Sequence, residues 1–470
     1  MISRALKTAL LAIVLALSSV QLKSQSYCIV DTVALLGNKI TRDNIIYREM
    51  MFRSGDTLTV TLLDTLIQHS RENLLNTALF NFVEIDKFPA EDDSAHMKVL
   101  VRVTERWYIW PVPILKISDR NFNVWWQSKD WGRLSYGFYI DWKNFRGRRE
   151  NLLIRFQYGY DQIYDFKYIK PFINKKETIG LNLGAGYWRN RETPYITLDN
   201  KQEFYKDTSG YVRDDIYAFT GLTLRPNIYL SHLFEVRYDH HHFSDSLLAQ
   251  NPNYSVNNAN MVQYLTFHYM FKDDHRDYKS YPLKGYYTDF ELIKEGLWTF
   301  KENTLDNLYL RATFRKYWQL DTRVYFATGI NGEVTFGPDQ PYFILRGIGW
   351  DRDVVRSYEY YVVDAQDFII LKNNIKFALI PQTTKYFRPL NNDRFGKFFY
   401  ALYMDVFMDF GYGYYGQDFG WQTNNLQNDL LLGYGAGIDL VSYYDIVMRV
   451  ECSINFMSEI GVFLHFRAPI

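Results

Sequence analysis

The sequence predicts a mainly β protein: a transmembrane antiparallel β-barrel of about sixteen strands over residues 107–470, preceded by one small α+β domain over residues 26–106. Three observations lead there. A helical period is present ahead of Trp107 and disappears after it. Beyond Trp107, segments of about 10 to 15 residues alternate apolar with polar positions, separated by clusters of Gly, Asn, Asp and Lys. The chain also opens with a stretch suited to export.

That stretch is read as a signal peptide over residues 1–25. Arg4 and Lys7 precede the short apolar run Ala9–Leu17, and small and polar residues follow, with cleavage expected between Ser18 and Ser26. The run is too short to span a bilayer, and no later run is apolar enough for a membrane helix. Gln25, Ser26 and Tyr27 do not make a lipoprotein site of Cys28. The other cysteine, Cys452, is distant, and the two match no metal spacing. A formal net charge of zero gives no nucleic-acid footprint, and there is no nucleotide motif. Neither a cofactor nor a metal is expected.

In the small domain, "CIVDTVALLG" reads as a strand ending at the turn pair Gly37-Asn38. Thr41 is placed to cap a short helix reaching Met50. A second helix follows, with Leu62, Leu66, Ser70 and Leu74 on one face and Leu63 and Ile67 beside them. "FVEIDKF" and "MKVLVRVTE" then alternate as half-buried strands, giving the order β-α-α-β-β.

In the second part, one face of each segment tolerates charge and the other does not. In "LYMDVFMDFG", Leu402, Met404, Val406, Met408 and Phe410 oppose Tyr403, Asp405, Phe407 and Asp409. In "IVMRVECSI", Arg449 and Glu451 oppose Met448, Val450 and Cys452. In "EIGVFLHF", Ile460, Val462, Leu464 and Phe466 oppose Glu459, Gly461, Phe463 and His465. Recurrent Tyr and Trp near segment ends resemble an aromatic girdle. A closed barrel satisfies every backbone amide, which the bilayer demands. The first strand is placed around Leu134–Trp142 and the last around Glu459–Phe466; strand boundaries in 190–213 stay open. With the small domain in the periplasm, the outer loops fall at 143–148, near 245–261, at 337–368 and near 415–427.

Five motifs, in order, resemble the BamA/TamA outer-membrane assembly and translocation superfamily, also called the bacterial surface antigen family. The first domain is similar to a single POTRA domain, through Gly37-Asn38, Gly55 and "LLNTALFNFVEI". "DWKNFRGRRENL" resembles that family's first hairpin and "DDHRDYKSYPLKGYY" its Asp-Arg-Asp…Pro…Gly turn. "VRSYE" resembles the Val-Arg-Gly-Tyr/Phe signature of the sixth outer loop, "FMDFG" the Phe-x-Asp-x-Gly signature of the thirteenth strand, and "EIGVFLHF" the C-terminal β-signal. Ser357 stands where the loop signature has Gly, and Asn374 where many relatives have an acidic residue.

The resemblance implies a protein of a Gram-negative outer membrane, with its POTRA domain in the periplasm, that inserts or translocates unfolded or secreted client proteins. Its partners would be those clients, outer-membrane lipids and accessory lipoproteins, and it would not be an enzyme. Carried over residue by residue, Arg356 would pair with Asp409 and tether the sixth loop inside the barrel. Val355, Ser357 and Tyr358 would accompany Arg356, and Phe407 and Gly411 would accompany Asp409. Glu459, Gly461, Leu464 and Phe466 would form the last strand of a lateral seam able to template a nascent strand. Phe82, Val83, Glu84 and Ile85 would be the POTRA edge that accepts an extended segment. Gly461 is open to two readings: it weakens its strand, or it makes room for a lumenal aromatic. Two other classes compete. A passive porin or transporter would need no tethered loop. A hydrolase would have to use His240, His242 and Ser244 of "YDHHHFSDS", where no Gly-x-Ser-x-Gly elbow is present.

Overall fold

The computed structural model describes residues 27–90, 95–117, 134–207, 210–299, 305–350, 353–387, 389, 392, 394–416 and 423–466. The expected signal peptide lies outside them.

The N-terminal domain contains β1 (Tyr27–Leu36), α1 (Asp43–Tyr47), β2 (Thr57–Thr59), α2 (Val60–Asn76), β3 (Phe80–Pro89) and β4 (His96–Glu105). Its sheet runs β2-β1-β4-β3, with β1 and β4 parallel. The short β2 adds one strand to the expected order. Val30, Ile46, Leu63, Leu74, Phe80 and Val101 form the core between helices and sheet. Two local expectations are corrected. Thr41 does not cap α1: its hydroxyl bonds to Tyr108, and Arg42 holds the cap position. Leu62 is exposed, because the buried stripe of α2 runs through Leu63, Ser70 and Leu74.

The second part is one sixteen-stranded antiparallel sheet. Its strands are β5 (Ile109–Ile117), β6 (Leu134–Phe145), β7 (Glu150–Gly159), β8 (Gln162–Lys170), β9 (Ile179–Asn190), β12 (Arg213–Leu224), β13 (Leu230–Phe243) and β14 (Met261–Asp274). They continue with β15 (Gly285–Thr299), β16 (Asn307–Gln319), β17 (Val324–Phe336), β18 (Asp367–Tyr386), β19 (Lys397–Tyr414), β20 (Leu430–Ser442), β21 (Val447–Asn455) and β22 (Ile460–His465). Residues 190–213 resolve into the end of β9 and a separate hairpin, β10 (Glu192–Leu198) and β11 (Lys201–Lys206). Neighbours follow chain order, and no pairing joins β5 to β22 among the described residues.

Alternation sets the two faces. On β19, Met404, Val406 and Met408 are exposed while Asp405, Phe407 and Asp409 are buried. On β21, Met448 and Val450 point out while Arg449 and Glu451 point in. An apolar exterior around a charged interior suits lipid outside and polar contents within. Among the described residues no helix is long and apolar enough to cross a membrane.

One expectation on strand order fails. Leu134–Trp142 belongs to the second strand of the sheet, and β5 is the first. The turn at 146–149 therefore lies at the end that carries the N-terminal domain: Arg42 N–H donates to Gly147 O at 3.0 Å. The expected outer loop at 143–148 is wrong. Pro111 and Pro113 are the reason, since two prolines in "IWPVPILKI" argue against a strand unless it is an edge.

Candidate functional site

Between β17 and β18 the chain makes a long loop that turns into the barrel. Its apolar anchors, Ile348, Val355, Tyr358 and Val363, pack with Phe368, Ile370 and Leu431 of the wall. Two glycines of the wall make room. A side chain at Gly411 would meet Val355 Cγ2 at 2.4 Å, and one at Gly433 would meet the Arg356 carbonyl oxygen. Glycine is required wherever backbone or packed side chain comes that close.

This places Arg356 and Asp409 together, both almost fully buried. Arg356 Nε donates to Asp409 Oδ2 at 2.7 Å and Nη2 to Oδ1 at 2.5 Å, a planar fork on a carboxylate. Nη2 also reaches Asn374 Oδ1 at 2.6 Å, so the neutral Asn374 serves as a third acceptor. The guanidinium lies 3.8 Å above the Phe407 ring. Glu451 at 3.6 Å and Asp405 at 3.9 Å complete its surroundings. Ser357 has φ +80°, the left-handed region that favours glycine, and its Oγ is buried without a partner. Tyr358 is buried, and its hydroxyl accepts from Phe456 N–H at 3.2 Å.

A second buried cation was not singled out from sequence, although its parity was visible. Arg449 Nη2 donates to Asp439 Oδ2 at 2.5 Å and Nη1 to Glu451 Oε1 at 3.0 Å. Glu451 thus links the two guanidiniums. It also lies 3.2 Å from His465 Nε2 on β22, and Glu359 of the loop lies 3.5 Å from that same nitrogen. Loop, β21 and β22 are joined through these charges.

Glu459 was expected on the last strand but lies just before it, where it accepts from Tyr361 Oη at 2.9 Å and Asn455 Nδ2 at 2.8 Å. A side chain at Gly461 would meet the Phe463 ring at 2.4 Å, which favours the packing reading of that glycine. Leu464 and Phe466 are exposed on the outer face.

Phe82, Val83, Glu84 and Ile85 lie on β3, an edge strand. Val83 is part of the domain core, while Phe82 packs against barrel residues including Tyr281, Phe399 and Tyr403. Glu84 pairs with Lys397 at 3.0 Å. A cavity of ≈ 680 Å³ lies between this strand and the barrel end, lined by Arg71, Phe82, Glu84, Tyr278, Phe399 and Tyr403 among others.

The domain is held to the barrel by ion pairs absent from the sequence reading. Buried Glu49 accepts from Arg149 Nη1 at 2.9 Å and from Arg225 Nη1 at 2.5 Å and Nη2 at 2.8 Å. Burial alone would raise the Glu49 carboxyl, but the Arg225 and Arg149 guanidiniums override it and hold the group at about 2. Burial pulls Arg149 down to about 10, so it remains charged at neutral pH. On the other side, Arg106 Nη1 donates to Asp445 Oδ2 at 2.6 Å.

The residues of the hydrolase alternative do not assemble. Ser244 Oγ caps α3 (Asp245–Gln250) by accepting from Leu247 N–H. The inward-facing histidine is His241, between Asp215 Oδ1 at 2.6 Å and Tyr264 Oη at 3.2 Å. His242 is exposed and His240 half-buried.

Residues 29–106 match the family model described as POTRA, surface antigen variable number repeat. No curated protein matches the chain. Among solved structures, CdiB from Escherichia coli has a TM-score of 0.50 at 11% identity, covering 93% of this chain and 75% of that one. BamA from Haemophilus ducreyi lacking POTRA domains 1-3 has a TM-score of 0.49 at 13% identity, over 93% and 83%. CdiB from Acinetobacter baumannii gives 0.46 at 11%, over 93% and 73%. Residues 29–106 thus match a POTRA domain, and the sixteen-stranded sheet that follows shares the fold of the CdiB barrel.

Proposed function

We propose, from a POTRA domain joined to a barrel of this architecture, that the protein inserts or translocates client proteins at the outer membrane of a Gram-negative bacterium. The observation that carries the reading is the position of β3: an edge strand that opens onto the ≈ 680 Å³ cavity at the barrel end. A client segment adding to β3 would already lie at the barrel mouth. Arg71 Nε donates to Val83 O at 3.0 Å, so the backbone of Val83, Ile85 and Lys87 points away from β4. A client strand would take the place of Arg71 there.

From the mouth, the client reaches a lumen whose sixth loop is tethered by Arg356 and Asp409, and then the seam between β5 and β22. In this reading the POTRA domain is periplasmic, the apolar barrel exterior meets outer-membrane lipid, and accessory lipoproteins are candidate partners. The tethered loop does not suit a passive pore.

The test is reconstitution in liposomes with a urea-unfolded outer-membrane barrel protein as the probe, scored by its heat-modifiable folding. The protein should raise the folding rate well above that of empty liposomes. Ile85→Pro, which removes an outward N–H without touching the β3–β4 ladder, should abolish most of the gain. Equal rates with and without the protein would overturn the proposal, and a steady single-channel conductance would then favour the porin.

A further inference from the structure

One group of charges inside the barrel is left without balance. Arg356 is matched by Asp409, and Arg449 by Asp439. Both guanidiniums also stand on the same oxygen of Glu451: Arg449 Nη1 donates to Oε1 at 3.0 Å, and Arg356 Nη1 lies 3.6 Å from it. Glu451 Oε2 is thereby left to face His465 Nε2 at 3.2 Å. Glu359 of the loop faces that same nitrogen at 3.5 Å. Glu451 is 1% exposed, and its Oε2, both Glu359 oxygens and His465 Nε2 are buried without a hydrogen-bond partner.

A protonated imidazole does not account for this arrangement. Its one N–H on this side serves one carboxylate, at about 2.7–2.9 Å, and leaves the other buried and unpaired. Here the nitrogen stands farther than that from both carboxylates. A metal ion does account for it. Bonds of about 2.0–2.1 Å around a tetrahedral ion hold neighbouring ligand atoms about 3.3–3.4 Å apart, close to both separations. One ligand atom from each of the three residues lies within 4.8 Å of the other two, within reach of a single ion. A divalent charge would balance both carboxylates with the imidazole neutral. The imidazole sets the class, since it suits zinc and its neighbours, while calcium and magnesium take oxygen.

We infer that Glu359, Glu451 and His465 form a binding site for one divalent transition-metal ion of the zinc class, joining the loop to β21 and β22. Arg449 holds the Glu451 carboxylate in place from behind, as an outer-shell partner does. The His465 side chain is 32% exposed, which gives the ion a way in and leaves room for water as a further ligand. No local spacing announces the site, because each ligand comes from a different element.

The test is equilibrium dialysis of the EDTA-stripped full chain in nanodiscs against Zn²⁺ alone. One ion should bind per chain, and Glu359→Gln and His465→Gln should each weaken binding by about a hundredfold. Neither variant removes Arg356 or Asp409, and heat-modifiability reports that the barrel is folded. Excess Ca²⁺ or Mg²⁺ should leave the Zn²⁺ bound. Zn²⁺ uptake by the unaltered chain no tighter than by the two folded variants would overturn the site. Displacement by Ca²⁺ or Mg²⁺ would overturn the class of ion. Spectroscopy of the Cu²⁺-loaded unaltered chain tests the site without any variant: coupling to one imidazole nitrogen is expected, and its absence would overturn the role of His465.

Discussion

Arg356→Ala is the perturbation that most directly weighs the loop tether. Asp409 is fully buried and takes two hydrogen bonds from this one guanidinium. Removing one partner of a buried pair costs about 3–5 kcal/mol, because the other charge stays buried. Lys372 stands directly opposite Asp409 in the β18–β19 ladder and supplies a second cation, which favours the lower end, about 3 kcal/mol. The lost bond to Asn374 adds about 1 kcal/mol, giving a total near 4 kcal/mol. Arg356→Lys should cost about half as much, since a point charge keeps attraction and loses the fork. The assay is the heat-modifiability midpoint of the folded barrel, combined with limited proteolysis of the loop. In the variant, the loop should become cleavable while the strands remain intact. A double-mutant cycle with Asp409→Asn isolates the pair and should give a coupling of about 2–3 kcal/mol. Coupling within about 0.5 kcal/mol of zero would refute the reasoning, because contact at these distances would then carry no energy.

Three further outcomes follow from the same geometry. Ser357→Gly should stabilise the barrel by about 1 kcal/mol, read as a raised melting midpoint, because it relieves a left-handed φ and removes an unpartnered buried hydroxyl. Gly461→Leu should destabilise it by about 1–3 kcal/mol, since the new side chain must displace the Phe463 ring; an unchanged midpoint would show that the ring has somewhere else to go. Docking of the POTRA domain should depend on pH. Glu49 is depressed to about 2 from an ordinary 4.5, so its contribution is full above pH about 4.5 and is lost as pH falls toward 2. That shift corresponds to about 3 kcal/mol, and spin-label distances between domain and barrel should lengthen on acidification, with Glu49→Gln lengthening them already at neutral pH.

What could be read from the sequence was whatever repeats or alternates. Period two on β19, β21 and β22 puts Asp409, Arg449 and Leu464 on the faces they occupy. The first strand was missed because proline argues against a strand, and only edge geometry makes it permissible. That single omission reversed the side assigned to the first hairpin. The Glu49 ion pairs were invisible for another reason. Arg149 and Arg225 lie in turns far from Glu49 along the chain, and no local pattern records a contact between domains. The β10–β11 hairpin was obscured because it leaves the sheet that set the spacing.

The interior charges are concentrated in one part of the sheet. Arg356, Asp409, Arg449, Asp439, Glu451 and His465 all belong to the sixth loop or to β19–β22. Each buried cation here shares at least one carboxylate with its neighbour, so moving one strand of this wall would expose several unpaired charges together. The cost of deforming the β19–β22 wall is therefore high. At the other edge of the sheet, β5 carries Val112 and Ile114 and two prolines, Pro111 and Pro113. The tethered loop and the β19–β22 wall would move together, because separating them would strand the interior charges.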